Sequence, residues 1–198
     1  MSMQYDVWAI TPSTSAVLLR AAASFPAGPA TLLTNEVAQN GCGYKLIFTS
    51  AGDDSNRTFT IVGTKVGQLT GALTTETVTG GNSTTATSTN FYSNVLSITI
   101  SGNSAGNVSI GTTGSLALPR CRIKGFYYVG AASAGSVIVT SNSTSGTVLF
   151  KIPTPASSTA FANSFYMAAE GIPTGKNSTN DFAIVTLDQI SQVTLICG

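Results

Sequence analysis

Histidine is absent from this chain of 198 residues, and only 9% of its side chains are charged, against about 25% in an average globular domain. General acid–base catalysis, metal ligation and activated nucleophiles draw mainly on His, Asp, Glu, Lys and Cys. A nucleophilic serine commonly needs a histidine base, so the many serines here lack their usual partner. The expectation is a protein that is not an enzyme, with no catalytic, cofactor-binding or metal-binding residues and no cofactor. An excess of one sign of charge is missing as well. The net charge is +1, which gives no global field for nucleic acid or an anionic membrane. A surface this close to neutral favours association.

Long hydrophobic runs are also lacking. No apolar stretch approaches the roughly 20 residues of a membrane-spanning helix, and residues 1–10 show no basic segment leading into an apolar one, so no secretory signal is expected. Cysteine is scarce and badly placed for a framework. Cys42, Cys121 and Cys197 are odd in number and widely separated, which fits neither a disulfide scaffold nor a zinc knuckle. They read as reduced, buried thiols of a protein made in a cytoplasm.

What the chain has is Ser, Thr, Gly, Asn and Ala in short alternating runs. Tyr44, Leu46 and Phe48 alternate with Lys45, Ile47 and Thr49, and residues 58–62 follow a turn rich in Gly, Asp, Ser and Asn; both read as strands. Residues 76–78 and 107–110 read likewise. Residues 95–101 place Val95, Ser97, Thr99 and Ser101 on one face and Leu96, Ile98 and Ile100 on the other, the second face being expected to meet a core. Residues 111–114 read as a break, with a domain boundary near Ser115. Beyond it, residues 122–129, 136–140, 147–152, 182–187 and 192–197 read as strands, with a turn at 142–146 and a stop at Pro153 and Pro155. No convincing amphipathic helix appears; the best candidate, residues 16–24, is short and ends before Pro26. Short strands about ten residues apart, joined by Gly- and Asn-rich turns, predict an all-β fold of two small antiparallel sandwich or barrel-like domains. Residues 1–115 are expected to form an N-terminal arm plus β-domain, and 116–198 a second β-domain.

Few residues invite a chemical reading. Asp53 and Asp54 are the one adjacent pair of carboxylates; such a loop could offer oxygens to a hard cation, but Asx residues also make turns unaided. Glu76 is a lone acid in a Thr-rich strand, expected to pair with Arg57 or Lys65, and without a second acid it cannot run glycoside cleavage. Arg120, Arg122 and Lys124 read as a solvated strand face, not a nucleic-acid contact. Trp8, Tyr44, Phe91, Tyr92, Tyr127 and Tyr128 could stack on sugars, although one aromatic of each adjacent pair usually fills the core. The tracts 41–43 and 102–106 are turn glycines, since a phosphate loop needs Lys and Ser or Thr before a helix.

One set of tracts carries more. Arg57-Thr-Phe-Thr-Ile-Val-Gly-Thr64, Glu76-Thr-Val-Thr-Gly80, Ser88-Thr-Asn-Phe91, Val95-Leu-Ser-Ile-Thr-Ile-Ser101 and Asn107-Val-Ser-Ile-Gly111 together resemble a β-rich module of virion structural proteins from tailed bacteriophages. Ile123-Lys-Gly-Phe126, Gly135-Ser-Val-Ile-Val139, Ser145-Gly-Thr-Val-Leu-Phe150 and Gly171-Ile-Pro-Thr-Gly175 are similar to a second module of that kind, departing from it at residues 176–182. The resemblance implies a non-enzymatic capsid decoration (cement) subunit on the outside of the virion, with the major capsid protein and its own copies as partners. A trimer would match a shell's three-fold positions. A neck or tail protein and a glycan-binding module are the alternatives. Neither nucleic acid nor a membrane is an expected partner.

Overall fold

The computed structural model describes residues 6–10, 14–38, 41–68, 72–141, 145–156, 162–166, 172–173 and 182–197. Among these there are strands and turns and no helix. The first half holds β1 (Asp6–Ile10), β2 (Ser15–Ser24), β3 (Gly28–Pro29), β4 (Gly43–Ser50), β5 (Thr58–Lys65), β6 (Thr74–Thr79) and β7 (Thr85–Ile100). Then follow β8 (Asn107–Leu118), β9 (Arg122–Gly130), β10 (Gly135–Ser141) and β11 (Val148–Thr154). The chain closes on β12 (Ala162–Tyr166), β13 (Ile172–Pro173), β14 (Ala183–Asp188) and β15 (Ile190–Cys197). They form two antiparallel sheets, one of ten strands and one of five, the all-β class that the alternating pattern predicts.

The chain divides into two compact units, Ser13–Gly114 and the combination of Met1–Pro12 with Ser115–Gly198. The boundary falls inside β8, not in a linker. The N-terminal arm expected to join residues 1–115 belongs elsewhere: β1 pairs antiparallel with β15, Trp8 opposite Leu195.

In the unit Ser13–Gly114 the strand order is β8-β4-β7-β5-β6, with β2 added on β8 and β3 on β7. Strict alternation fixes which face is inward. Tyr44, Leu46 and Phe48 are buried on β4, as are Phe59 and Ile61 on β5, while their neighbours face outward. Phe48 stacks on Phe59 with centroids 4.7 Å apart, and Phe25 tilts onto Phe59 at 6.0 Å. Each fully buried aromatic of this kind stabilises the fold by about 2–3 kcal/mol relative to exposure.

Strand β7 departs from the expected facing. Val62 pairs with Ser97 but Gly63 pairs with Val95, so Leu96 is the extra residue of a bulge, and a bulge reverses the parity of what precedes it. Val95 is therefore fully buried and Leu96 is 56% exposed, whereas Ile98 and Ile100 face inward as expected. The helix candidate at 16–24 is the strand β2, joined to β8 through Ser15 opposite Thr112 and Arg20 opposite Ile110, with Leu33 N donating to Leu19 O at 2.7 Å. Residues 111–114 do not break the chain; β8 runs through them. Gly111 lets β2 cross closely there, since a Cβ at this position would lie 1.7 Å from Ser15 O.

In the other unit the five-stranded sheet has the order β1-β15-β9-β12 with β13 on β9, and β14 joins β10 to the end of β8 through Val185 opposite Leu116. Phe126 of β9 stacks on Phe150 of β11 at 5.0 Å, so side chains of the two sheets meet in a core that includes Val137, Val139, Val193 and Leu195. Strand β11 continues through Pro153, which pairs with Ser136. The expected stop does not occur because β11 lies at the edge of its sheet, where a residue without an N–H loses no ladder bond. The expected turn at 142–146 lies partly outside the described residues, as do most of residues 176–182.

Candidate functional site

Two carboxylates of the unit Ser13–Gly114 are built into hydrogen-bond clusters. The first is Asp54. The chain folds three turns together around it: Asp54 N donates to Gly81 O at 3.0 Å, Ser83 N to Gly52 O at 2.8 Å, and Ala51 N to Asn107 O at 2.9 Å. The carboxylate closes the knot, since Oδ1 accepts from Ala105 N at 2.7 Å and Oδ2 from the Ser50 hydroxyl. It is fully buried. Asp53 points the other way, exposed, with one oxygen accepting from Ser55 N and Ser55 Oγ; those bonds hold its carboxyl below the usual range. The adjacent acids thus diverge, and both make turn structure in place of a shared cation cradle. Among the described residues no group of three or more His, Cys, Asp or Glu is placed to hold a metal ion.

The second cluster centres on Glu76 of β6. Its Oε1 accepts from Thr89 N at 2.5 Å, and Oε2 accepts from Asn90 N at 3.2 Å, Asn90 Nδ2 at 2.8 Å and Tyr92 Oη at 3.0 Å. Burial alone would raise its pKa, but these bonds favour the ionised form enough to hold it below the usual glutamate value. Burial, the Glu76 charge and its hydrogen bond push the Tyr92 phenol far up. The expected partners were Arg57 and Lys65. Arg57 instead donates from Nε to Asn103 O at 3.0 Å, bracing the turn knot, and amides with a phenol neutralise the need of Glu76 for a cation.

The candidate sugar-stacking aromatics are mostly interior. Tyr44, Phe91, Tyr92 and Tyr128 are buried, and Tyr127 is 40% exposed; the pair Tyr127 and Tyr128 splits one out, one in, as alternation requires. Burial, and then the nearby Cys42, push the Tyr44 phenol up to about 12. Lys45 lies over the Phe91 ring at 5.4 Å from its centroid. Trp8 belongs to β1, and its side chain lies outside the described residues. Of the basic run, Arg120 precedes β9 and Arg122 opens it, both exposed on either side of the half-buried Cys121, while Ile123 is fully buried and Lys124 half-buried.

Beside exposed apolar side chains such as Leu33, Leu73, Leu96 and Val148, the surface carries short hydroxylated ones. Thr75, Thr77 and Thr79 of β6 are exposed on a strand at the end of its sheet, and Thr49 and Thr85 share a hydroxyl contact at 3.2 Å across β4 and β7. Sequence reasoning missed the Asp54 knot and the three partners of Glu76. The signal for the latter was the Thr-Asn-Phe-Tyr tract at 89–92, whose polar atoms reach the one acid of β6 across β5. Comparison with known proteins finds no family model, no curated protein and no solved structure that matches the chain.

Proposed function

We propose that this chain is a non-enzymatic structural subunit of a tailed-bacteriophage virion, a capsid decoration protein that binds the lattice of the major capsid protein and stabilises the shell. The observation that carries the reading is the pairing of spent acids with hydroxylated strand faces. Asp54 and Glu76 are engaged in internal hydrogen bonds, while exposed positions such as Thr75, Thr77 and Thr79 offer short side chains. Short side chains lose little rotamer entropy when covered, and a surface poor in charge carries small desolvation costs. Such a face is suited to broad, flat contact with repeated copies of another protein. The sequence tracts that resemble phage virion modules supply the particle, and symmetry favours a trimer over the three-fold positions of a shell.

The mechanism is mass action. A subunit that binds the assembled lattice and not the dissociated capsid protein stabilises the lattice by about 2.7 kcal/mol per site at a free concentration 100-fold above its dissociation constant. Particles stripped of this protein are expected to release DNA at lower temperature than complete ones, and adding the protein back restores the threshold. Identical release from both kinds of particle, with stripped particles failing to join tails or adsorb to cells, would overturn the proposal in favour of a neck or tail component.

A further inference from the structure

Cys121 and Cys197 are 76 positions apart in sequence, yet their sulfurs are 3.2 Å apart. The register of β9 and β15 produces this. Leu195 pairs with Phe126 and Ile196 with Gly125, but Cys197 then pairs with Ile123, so Lys124 is skipped. Without that skip Cys197 would stand opposite Lys124, and Cys121 would fall on the other face of the sheet. With it, Cys197 and Cys121 stand in the diagonal relation that brings side chains on one face within reach. A disulfide needs sulfurs about 2.05 Å apart, roughly 1 Å closer than the present separation. Cys197 is buried and Cys121 half-buried, so one sulfur of the pair is open to a reagent and the other waits behind it.

We propose that Cys121 and Cys197 are an oxidisable pair that closes to an intrachain disulfide when the protein meets a low-molecular-weight disulfide such as oxidised glutathione. The Cys121 thiolate attacks the glutathione disulfide, forming a mixed disulfide and expelling one glutathione thiolate, which takes up the proton lost from Cys121. The Cys197 thiolate then attacks the Cys121 sulfur, expelling the second glutathione, which takes the proton of Cys197. The protein loses two electrons and two protons, and one glutathione disulfide becomes two thiols. The position of the bond gives it a purpose. Strand β15 lies between β1 and β9, and a clasp at Cys197 fastens its end, so that the strand carrying β1 cannot peel from β9. Reduced in the cytoplasm and closed outside it, the pair would harden this unit after synthesis. This goes beyond the virion reading and stands without it.

The test is to incubate the folded protein with oxidised glutathione, quench and unfold it in denaturant containing iodoacetamide so that the buried thiols also react, and map the peptides. The expected result is that alkylated thiols fall from three to one, on Cys42, with a linked peptide joining Cys121 to Cys197. The oxidised form is expected to unfold at a higher temperature than the reduced form, and Cys121→Ser to abolish both effects while Cys42→Ala leaves both in place. Full alkylation of all three thiols, glutathione retained on Cys121, or a link between two chains would overturn the pairing. Equal unfolding midpoints for the oxidised and reduced forms would overturn the clasp.

Discussion

The Tyr92 phenol donates a 3.0 Å hydrogen bond to the Glu76 carboxylate, although β5 lies between their strands in the sheet. Gly63 of β5 lies beneath this crossing: a Cβ there would stand 2.4 Å from Asn94 O and 3.1 Å from the Tyr92 ring. The interaction thus ties three neighbouring strands. It also explains why an acid is kept in a strand of threonines.

The first prediction is a stability profile that narrows at both ends of the pH range. The folded pKa of Glu76 lies below its ordinary value of 4.5, so its contribution is complete above that value and disappears as pH falls through the lower folded pKa. Tyr92 and Tyr44 have folded pKa values above 10.0, so their contributions hold below that value and are lost as pH rises beyond it. Glu76→Gln is expected to cost about 2 kcal/mol at neutral pH, the scale of bonds to a charged acceptor, and to flatten the acid limb. Urea midpoints from about pH 3 to pH 11 measure this. An acid limb unchanged by the substitution would contradict the role given to Glu76.

The second prediction concerns the bulge in β7. Val95→Thr places a hydroxyl in a fully buried site and is expected to destabilise by about 1–2 kcal/mol. Leu96→Thr next to it, on an exposed side chain, is expected to stay within about 0.5 kcal/mol of the parent. The reverse order would mean that the strand keeps plain alternation through this point.

How far the sequence reveals the fold follows from contrast along each strand. On β4 and β5 large apolar residues recur at every second position through Leu46, Phe48, Phe59 and Ile61, so period two is plain there, although the inward series ends on the small Ser50 and Gly63. The Val95-Leu96 step has two apolar residues in a row, and only the pairing partner on β5 decides which one turns inward. Strand β2 is legible as neither strand nor helix, because Ala21, Ala22 and Ala23 are exposed and carry no facing signal; its conformation is set by β8. The edge position that tolerates Pro153 is likewise a property of the sheet and not of the tract. In the clusters the same rule holds. Glu76 was readable as structural from its isolation, but its partners lie 13–16 positions away. Asp53 and Asp54 are identical in type and adjacent, and only the turns from 80–84 and 101–107 separate their fates. The meeting of Cys121 with Cys197 depends on one skipped residue in a ladder, which leaves no trace in the sequence.

The third prediction separates those two acids. Asp54→Ala removes acceptors from the Ser50 hydroxyl and Ala105 N and opens a void in the turn knot, so a loss of about 3 kcal/mol is expected. Asp53→Ala forfeits only an exposed turn contact with Ser55 and is expected to cost about 0.5 kcal/mol or less. Calcium chloride supplies the discriminating condition. If the loop makes structure alone, millimolar calcium leaves the thermal midpoint of the parent and of Asp53→Ala unchanged, because the inward carboxylate already spends each oxygen on a protein donor. A calcium-dependent rise in the parent midpoint that Asp53→Ala abolishes would show instead that the outward carboxylate recruits a cation, and the assignment of both acids to turn structure would fail.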